Sequence, residues 1–270
     1  MLPLSDAPRE MLAGVAAVLT DIDDTLTLHG RLPAEAYAAL WTLKQAGIRV
    51  IPITGRPAGW CDLIARQWPV DGIVGENGAF YFRYRDHDKT MERVYAQPAE
   101  ERRANTSRLW TIARRVLKEF PGTAIASDQA YREIDIAIDF CEDVPPLPLA
   151  AAQKIAEAFH AEGAAAKVSS IHVNAWFGVH DKLTMSRRFL SEAFDLEIEK
   201  HIKTIAYCGD SPNDAPMFAV FPLGVGVANI RPYSGLMAHL PRYVTVAEGG
   251  LGFAEFAHVV LRARQAGGGM

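Results

Sequence analysis

The sequence predicts an α/β fold with a parallel sheet interrupted by an α+β insertion. Three observations predict it. Apolar, strand-like runs alternate with helical segments from residue 15 to residue 78. The same alternation returns after Gly178. Between them, from about 86 to 178, the order changes to α-β-β-α-β-β. Repeated βα units imply parallel strands joined by right-handed crossovers, and 270 residues suffice for one large domain or two modest ones.

Taken in order, residues 1–13 read as a polar lead-in and 15–20 as a buried strand. A helix follows over 33–45, with Ala36, Leu40 and Leu43 near helical spacing, Pro33 at its start and Gly47 past its end. A second strand over 48–53 ends in Thr54-Gly55-Arg56-Pro57, and Pro57 suits the first turn of a helix running to about Gln67. A third strand over 71–74 ends in Gly75-Glu76-Asn77-Gly78. Residues 79–85 alternate aromatic and basic side chains, as an edge strand or hairpin would. Within the insertion, a long helix is expected over 98–120, strands over 123–127 and 132–140, a helix from Pro145 to His160, and strands over 165–169 and 171–177. Ile134, Ile136 and Ile138 alternate with Asp135, Ala137 and Asp139, so Glu133, Asp135 and Asp139 are expected on a solvated strand face. After Gly178 come a helix over 181–194 capped by Asp181, a strand over 204–208, a short helix over 216–220, strands over 223–227 and 243–246, and a closing helix over 253–264. The C-terminal Gly267-Gly268-Gly269 reads as a frayed end.

The bulk properties exclude several classes. Net charge is −4 without blocks of like charge, so neither a nucleic-acid nor a membrane partner is expected. Cys61, Cys141 and Cys208 are widely spaced, form no metal pattern and fit a reducing cytoplasm. Asp6, Arg9 and Glu10 precede any apolar run, unlike a signal peptide, and no apolar run reaches the ~18 residues of a membrane span.

Candidate chemistry collects at strand ends, where parallel sheets bind their ligands. The first strand breaks into Asp21-Ile22-Asp23-Asp24. Buried carboxylates are costly unless compensated, and a divalent cation would compensate them. On its own, Asp21-x-Asp23 reads more readily as a helix cap or polar turn. Three further stretches change the balance. Thr54-Gly55-Arg56 offers a hydroxyl and a glycine amide beside a helix start, an anion site. Lys182 sits in the first turn of a helix, where a cation is mildly unfavourable and a bound anion would account for it. Gly209-Asp210-Ser211-Pro212-Asn213-Asp214 adds two carboxylates at another strand end. Together these are hard oxygen ligands suited to Mg²⁺ beside donors suited to phosphate. Phosphoryl transfer needs that combination.

Asp21-Ile22-Asp23-Asp24-Thr25, Thr54, Lys182 and the Gly209–Asp214 stretch, in that order, resemble the four motifs of the haloacid dehalogenase superfamily phosphatases. The resemblance covers about 15–85 and 179–265. It implies a three-layer Rossmann-like core over 1–85 and 179–270, with a C2-type cap over 86–178 whose αββαββ order is similar to the IIB subfamily, which includes Cof-type and sugar-phosphate phosphatases. It further implies a nucleophilic Asp21 that also ligates Mg²⁺. Asp23 would be the acid/base, with its main-chain carbonyl on the metal. Asp210 would be a metal ligand, and Thr54, Gly55 and Lys182 would hold phosphate. Asp214 would hold a metal-bound water or orient Lys182, and Asn213 would support the same loop. Many members carry Gly where this chain has Asp24; if that position needs positive φ, Asp tolerates it.

Substrate contacts are expected from Arg56, from Asn77 in the loop before the insertion, and from His172 and Asn174, which alternate with Trp176 on one side of a strand. Each has a plainer reading: an ion pair for Arg56, a turn for Asn77, ordinary half-buried strand alternation for the others. His180 beside Asp181-Lys182, and His29 after the first motif, are further candidates. The expected function is Mg²⁺-dependent hydrolysis of a small phosphorylated metabolite such as a sugar phosphate. Alternatives are a phosphomutase of the same fold and a binding protein without turnover. Phe80, Tyr81, Phe82 and Tyr84 offer either a surface on which a homodimer could form or an edge strand that packs on the cap.

Overall fold

In the computed structural model, residues 1–169 and 171–266 are described, so the expected frayed glycine end lies outside them. The strands in chain order are β1 (Leu2–Pro3), β2 (Ala17–Thr20), β3 (Arg49–Pro52), β4 (Ile73–Gly75), β5 (Phe80–Arg85), β6 (Thr90–Tyr95), β7 (Ala124–Ile125), β8 (Ile136–Asp139), β9 (Ala165–Val168), β10 (His172–Trp176), β11 (Ile205–Gly209), β12 (Leu223–Gly226) and β13 (Tyr243–Val244). The main sheet is parallel, in the order β1-β13-β12-β11-β2-β3. A bridge from Ile53 to Val74 continues it toward β4, which opens an antiparallel β4-β5-β6 sheet.

Alternation in the central strands produces the three layers. Val18, Val50, Ala206 and Cys208 point to one face, where helices Ala34–Gln45, Ala58–Gln67 and Gly249–Gln265 contribute Leu40, Leu43, Ile64, Phe253 and Phe256. Ala17, Leu19, Ile51 and Tyr207 point to the other, against Met185 and Phe189 of helix Lys182–Phe194 and Met217 and Phe218 of helix Ala215–Val220. Strands buried on both faces read as continuous apolar runs. β2 is central, so the loop after it lies between those of β3 and β11 at the same end of the sheet.

The α-β-β-α-β-β unit follows β6. Its antiparallel sheet runs β7-β8-β10-β9. Helices Ala99–Glu119 and Leu149–His160 cover one side, with Leu109, Ile112, Val116, Ile155 and Phe159 packed on Ile136, Ile138, Val173 and Ala175. Register places Ala137, Lys167 and Asn174 side by side on the opposite face, with Asp139 and His172 paired on that face too.

Several expectations change. The lead-in is ordered: Leu2–Pro3 pairs with Tyr243–Val244, and Arg9–Ala13 is a helical turn packed on the closing helix. Thr90–Tyr95 is a strand the sequence reading did not place, pairing with β5. The aromatics Phe80, Tyr81 and Phe82 are buried rather than exposed, because β5 lies between two strands and against helix Lys182–Phe194, while Tyr84 is half-buried. The strand expected over 132–140 shrinks to Ile136–Asp139. The N–H groups of Glu133, Ile134 and Asp135 all donate to the Glu76 carboxylate instead of to a neighbouring strand. Asp135 and Asp139 are buried, not solvated. Asp135 pairs with Arg132 and Asn174, and Asp139 accepts the N–H groups of Cys141, Glu142 and Asp143.

Candidate active site

The loop after β2 is fixed at both ends. Asp21 N–H donates to Cys208 O at 2.9 Å, and the Asp24 N–H donates to Thr27 Oγ1 at 2.8 Å. Asp24 has φ +56°, the positive value at which Asp is among the better-tolerated residues other than glycine.

Lys182 enters from the start of its helix, capped as expected by Asp181, whose carboxylate accepts the Thr184 N–H at 2.6 Å. Its Nζ lies 2.7 Å from Asp21 Oδ1 and 2.8 Å from Asp214 Oδ1. The helix start is backed closely by the loop after β4. A Cβ on Gly78, at φ +103°, would fall 2.0 Å from Asp181 O. Asp214 has both oxygens occupied: Oδ1 takes Lys182 and the Tyr207 hydroxyl, and Oδ2 takes the N–H groups of Asp210 and Ser211. It therefore orients Lys182 and its own loop. Asn213 accepts the Ser211 hydroxyl at 2.8 Å and lies on the cleft wall.

Asp21, Asp210 and Asp214 are buried and bring one oxygen each within 4.8 Å of one another. Burial pushes the Asp21 carboxyl up to about 8, with Asp214 and Asp23 adding to the rise and Lys182 opposing it. Burial likewise holds Asp210 well above the carboxylate range, reinforced by Asp21 and Asp214. Lys182 pairs with only Asp21 and Asp214 of these three buried carboxylates, and their donor atoms are hard oxygens, so a divalent cation such as Mg²⁺ fits the chemistry of this set. Asp210 is braced by Thr25 Oγ1 at 3.4 Å and Asn229 Nδ2 at 3.2 Å, and the same Asn229 amide donates to Asp24 O at 3.0 Å.

Thr54 is fully buried after β3, and its Oγ1 accepts the Arg56 N–H at 2.9 Å, leaving the hydroxyl proton to donate. Gly55 is a close-approach position, where a Cβ would lie 3.1 Å from Asn77 Nδ2 and 3.5 Å from Asn174 Oδ1. Asn174 donates to Asp135 at 2.9 Å, which leaves its oxygen as acceptor, while the buried Asn77 Nδ2 has no hydrogen-bond partner among the described residues.

One narrow cleft opens beside these groups. Asp21, Asp23, Gly55, Arg56, Ser211 and Asn213 form its core side, and Arg132, Ser169, Ile171, His172 and Asn174 face them from the α+β unit. It leaves only about 20 Å³ of water-sized space, scarcely one water. Arg56 lines this cleft, but its guanidinium is engaged by Asp23, Asp128 and Glu142. His172 Nε2 lies 2.9 Å from Glu142 Oε2. His180 is not on the cleft wall; it stacks on Trp176 beside Gln97 and Gly178, and burial lowers its imidazole to about 4. His29 is exposed and borders a separate hollow with Asp24, Asp210 and Asn229.

The sequence reading missed Arg132, Glu142, Glu76, Tyr207 and Asn229. Glu142 had a usable signal, since it follows a strand end in the same way as the core carboxylates. Tyr207 sits inside an apolar strand, where nothing marks its hydroxyl as part of a site.

Comparison with known proteins follows the same lines. Residues 18–107 match the family model of haloacid dehalogenase-like hydrolases. No curated relative matches the chain in sequence. A HAD/COF-like hydrolase from Plasmodium vivax superposes with a TM-score of 0.68 at 15% identity, covering 94% of this chain and 99% of that one. The fold is that of the haloacid dehalogenase-like hydrolases. A sugar phosphatase of HAD subclass IIB superposes with a TM-score of 0.60 at 14% identity, covering 94% of this chain and 99% of its own. The sucrose-phosphatase of Synechocystis, in complex with sucrose and phosphate, gives a TM-score of 0.60 at 16% identity, covering 90% and 97%. Across the cleft from the core strand ends sits the α+β unit, termed the cap. No helix among the described residues is long and apolar enough to cross a membrane.

Proposed function

We propose that the protein is a Mg²⁺-dependent phosphomonoester hydrolase acting on a small, hydroxyl-rich metabolite such as a sugar phosphate, through a phosphoryl group carried on Asp21. The observation that carries this reading is the buried Asp21–Lys182–Asp214 arrangement beside Asp210.

In this reading, Asp21 attacks phosphorus with the oxygen not held by Lys182 as the bond to the leaving oxygen breaks. Asp23, on the cleft wall beside Asp21, gives its proton to that oxygen. Asp23 then takes a proton from the water that attacks the phosphoryl group, restoring Asp21. Lys182, Thr54 and the Gly55 amide hold the phosphate oxygens. Asp21, Asp210 and the Asp23 carbonyl would hold Mg²⁺, which when bound neutralises charge on the transferring group. Cap-side Asn174 offers an acceptor and Asn77 a donor, a pair suited to hydroxyls. Every arginine on the cleft wall is already neutralised by carboxylates, which favours an uncharged leaving group. With so little free space, the cap must open to admit such a substrate.

A screen of phosphorylated metabolites with and without Mg²⁺ tests the reading. Phosphate release should require Mg²⁺ and vanish in Asp21→Asn. Retained turnover in that variant would sink the mechanism, and isomerised hexose phosphate in place of free phosphate would replace hydrolase with mutase.

A further inference from the structure

We infer that Arg56 and Glu142 are positioning residues that align Asp23 for proton transfer, and that they do so only while the cap is seated on the core. This rests on the acid/base role proposed for Asp23.

Arg56 belongs to the core. Its N–H is held by Thr54 Oγ1, and its carbonyl accepts the Glu76 N–H at 3.2 Å. The guanidinium lies over the Trp60 ring, 4.5 Å from its centroid. Its Nε donates to Asp23 Oδ1 at 2.9 Å, and Nη2 lies 2.9 Å from the same oxygen. On the other side, Nη2 donates to Glu142 Oε1 at 2.7 Å and Nη1 to Glu142 Oε2 at 3.3 Å, while Nη1 also reaches Asp128 Oδ2 at 3.3 Å. Glu142 belongs to the cap, just past β8, and its own N–H is held by Asp139. His172 Nε2 lies 2.9 Å from its second oxygen. Burial alone would raise the Glu142 carboxyl, but the neighbouring His172 and Arg56 hold it at about 2.

One rigid fork thus grips the proposed acid with one edge and a cap carboxylate with the other. Bidentate contacts of this kind fix geometry as well as charge. Arg56 holds a single Asp23 oxygen, Oδ1, so the second oxygen remains to carry the proton. Lifting the cap withdraws Glu142 and frees the guanidinium to turn, and Asp23 loses its orientation with it. A plain interdomain ion pair would need no contact with Asp23 at all.

The consequence is a dependence on the leaving group. An alkyl or sugar oxygen needs the Asp23 proton as its bond to phosphorus breaks, whereas p-nitrophenolate leaves without one. The test measures single-turnover release of both kinds of leaving group, with full-length enzyme in excess and Mg²⁺ present, in wild type, Glu142→Gln and Arg56→Lys. Glu142→Gln is isosteric at a partly exposed site, and Arg56→Lys keeps the charge but not the fork. Thermal unfolding confirms that each variant is folded. The alkyl rate should fall at least about tenfold further than the aryl rate in both variants, within the range that positioned acids contribute. Equal losses for the two leaving groups, or no loss, would overturn the inference. Failure of the underlying reading shows differently: wild type would release neither leaving group, or Asp21→Asn would release both.

Discussion

The core and the cap each bury carboxylates at the cleft, but they satisfy them by different means. In the cap, Asp139 receives three backbone N–H groups, and Asp128 and Asp135 receive the Arg132 guanidinium. The core-side Glu76, which joins the two, receives four N–H groups, from Ala58, Glu133, Ile134 and Asp135. In the core site, Asp21 has Lys182, which it shares with Asp214, and Asp210 has two weak neutral donors. Fully paired acids hold a structure together; underpaired ones are kept for something that arrives later. The contrast separates structural acids from acids poised for a ligand, and it can be broken or sharpened by experiment.

The largest effect is expected at the underpaired end. Asp21→Asn should lower single-turnover rates by about 10³-fold or more, roughly 4 kcal/mol in the barrier. Stability should change little, because Asn keeps an oxygen for the Lys182 ammonium and Asp214 remains its charged partner. A variant that is both active and less stable would place Asp21 among the structural acids.

At the paired end the order reverses. Arg132 has no exposed side-chain surface and contacts Asp128 at 3.1 Å, Asp135 at 2.9 Å and Gly55 O at 2.8 Å. Arg132→Met strands two buried carboxylates and should cost about 3–5 kcal/mol in urea unfolding. Phosphoryl transfer from an aryl phosphate by the protein that stays folded should change much less. A loss confined to turnover, with stability intact, would make Arg132 part of the chemistry.

Metal binding gives a third measure. With Mg²⁺ at about 100 times its Kd, the free energy of unfolding should rise by about 2.7 kcal/mol. Asp210→Asn should shrink that rise, and Asp139→Asn, at a carboxylate already satisfied by backbone, should preserve it. Equal loss in both would end the distinction.

How much of this was legible in the sequence follows the same division. The core site could be read because parallel strands deliver their ends to one edge, so Asp21, Thr54, Lys182 and Asp210 needed only their order and their neighbours. Within that site Asp24 was legible too, as a residue suited to the positive φ it adopts. The cap could not be read as far. His172 and Asn174 do line the cleft, but the alternation that put them on one face also put Asp135 and Asp139 there, and a polar strand face in a sequence looks the same whether water or a second domain covers it. Glu76 is the sharpest case. A glutamate in a turn before an aromatic strand gives no sign that it will collect main-chain N–H groups from residues 133–135, nearly sixty positions later, because only the tertiary fold brings those residues together.

The smallest effect tests the hinge side of the boundary, where His180 is buried against Trp176 with neither ring nitrogen partnered among the described residues. Burial lowers its imidazole from the ordinary 6.5 to about 4, with Asp181 opposing the shift. The unfolded chain therefore binds a proton in a range where the folded chain does not. His180 contributes its full share of stability above about pH 6.5, and that share declines as pH falls toward 4. His180→Phe keeps a ring against Trp176 and removes the proton, so the variant should lose less stability than wild type between pH 6.5 and pH 5, by about 2 kcal/mol or less. Parallel stability curves over that window would mean that water reaches the imidazole, and that the cap's connection to the core is wetter than its packing indicates.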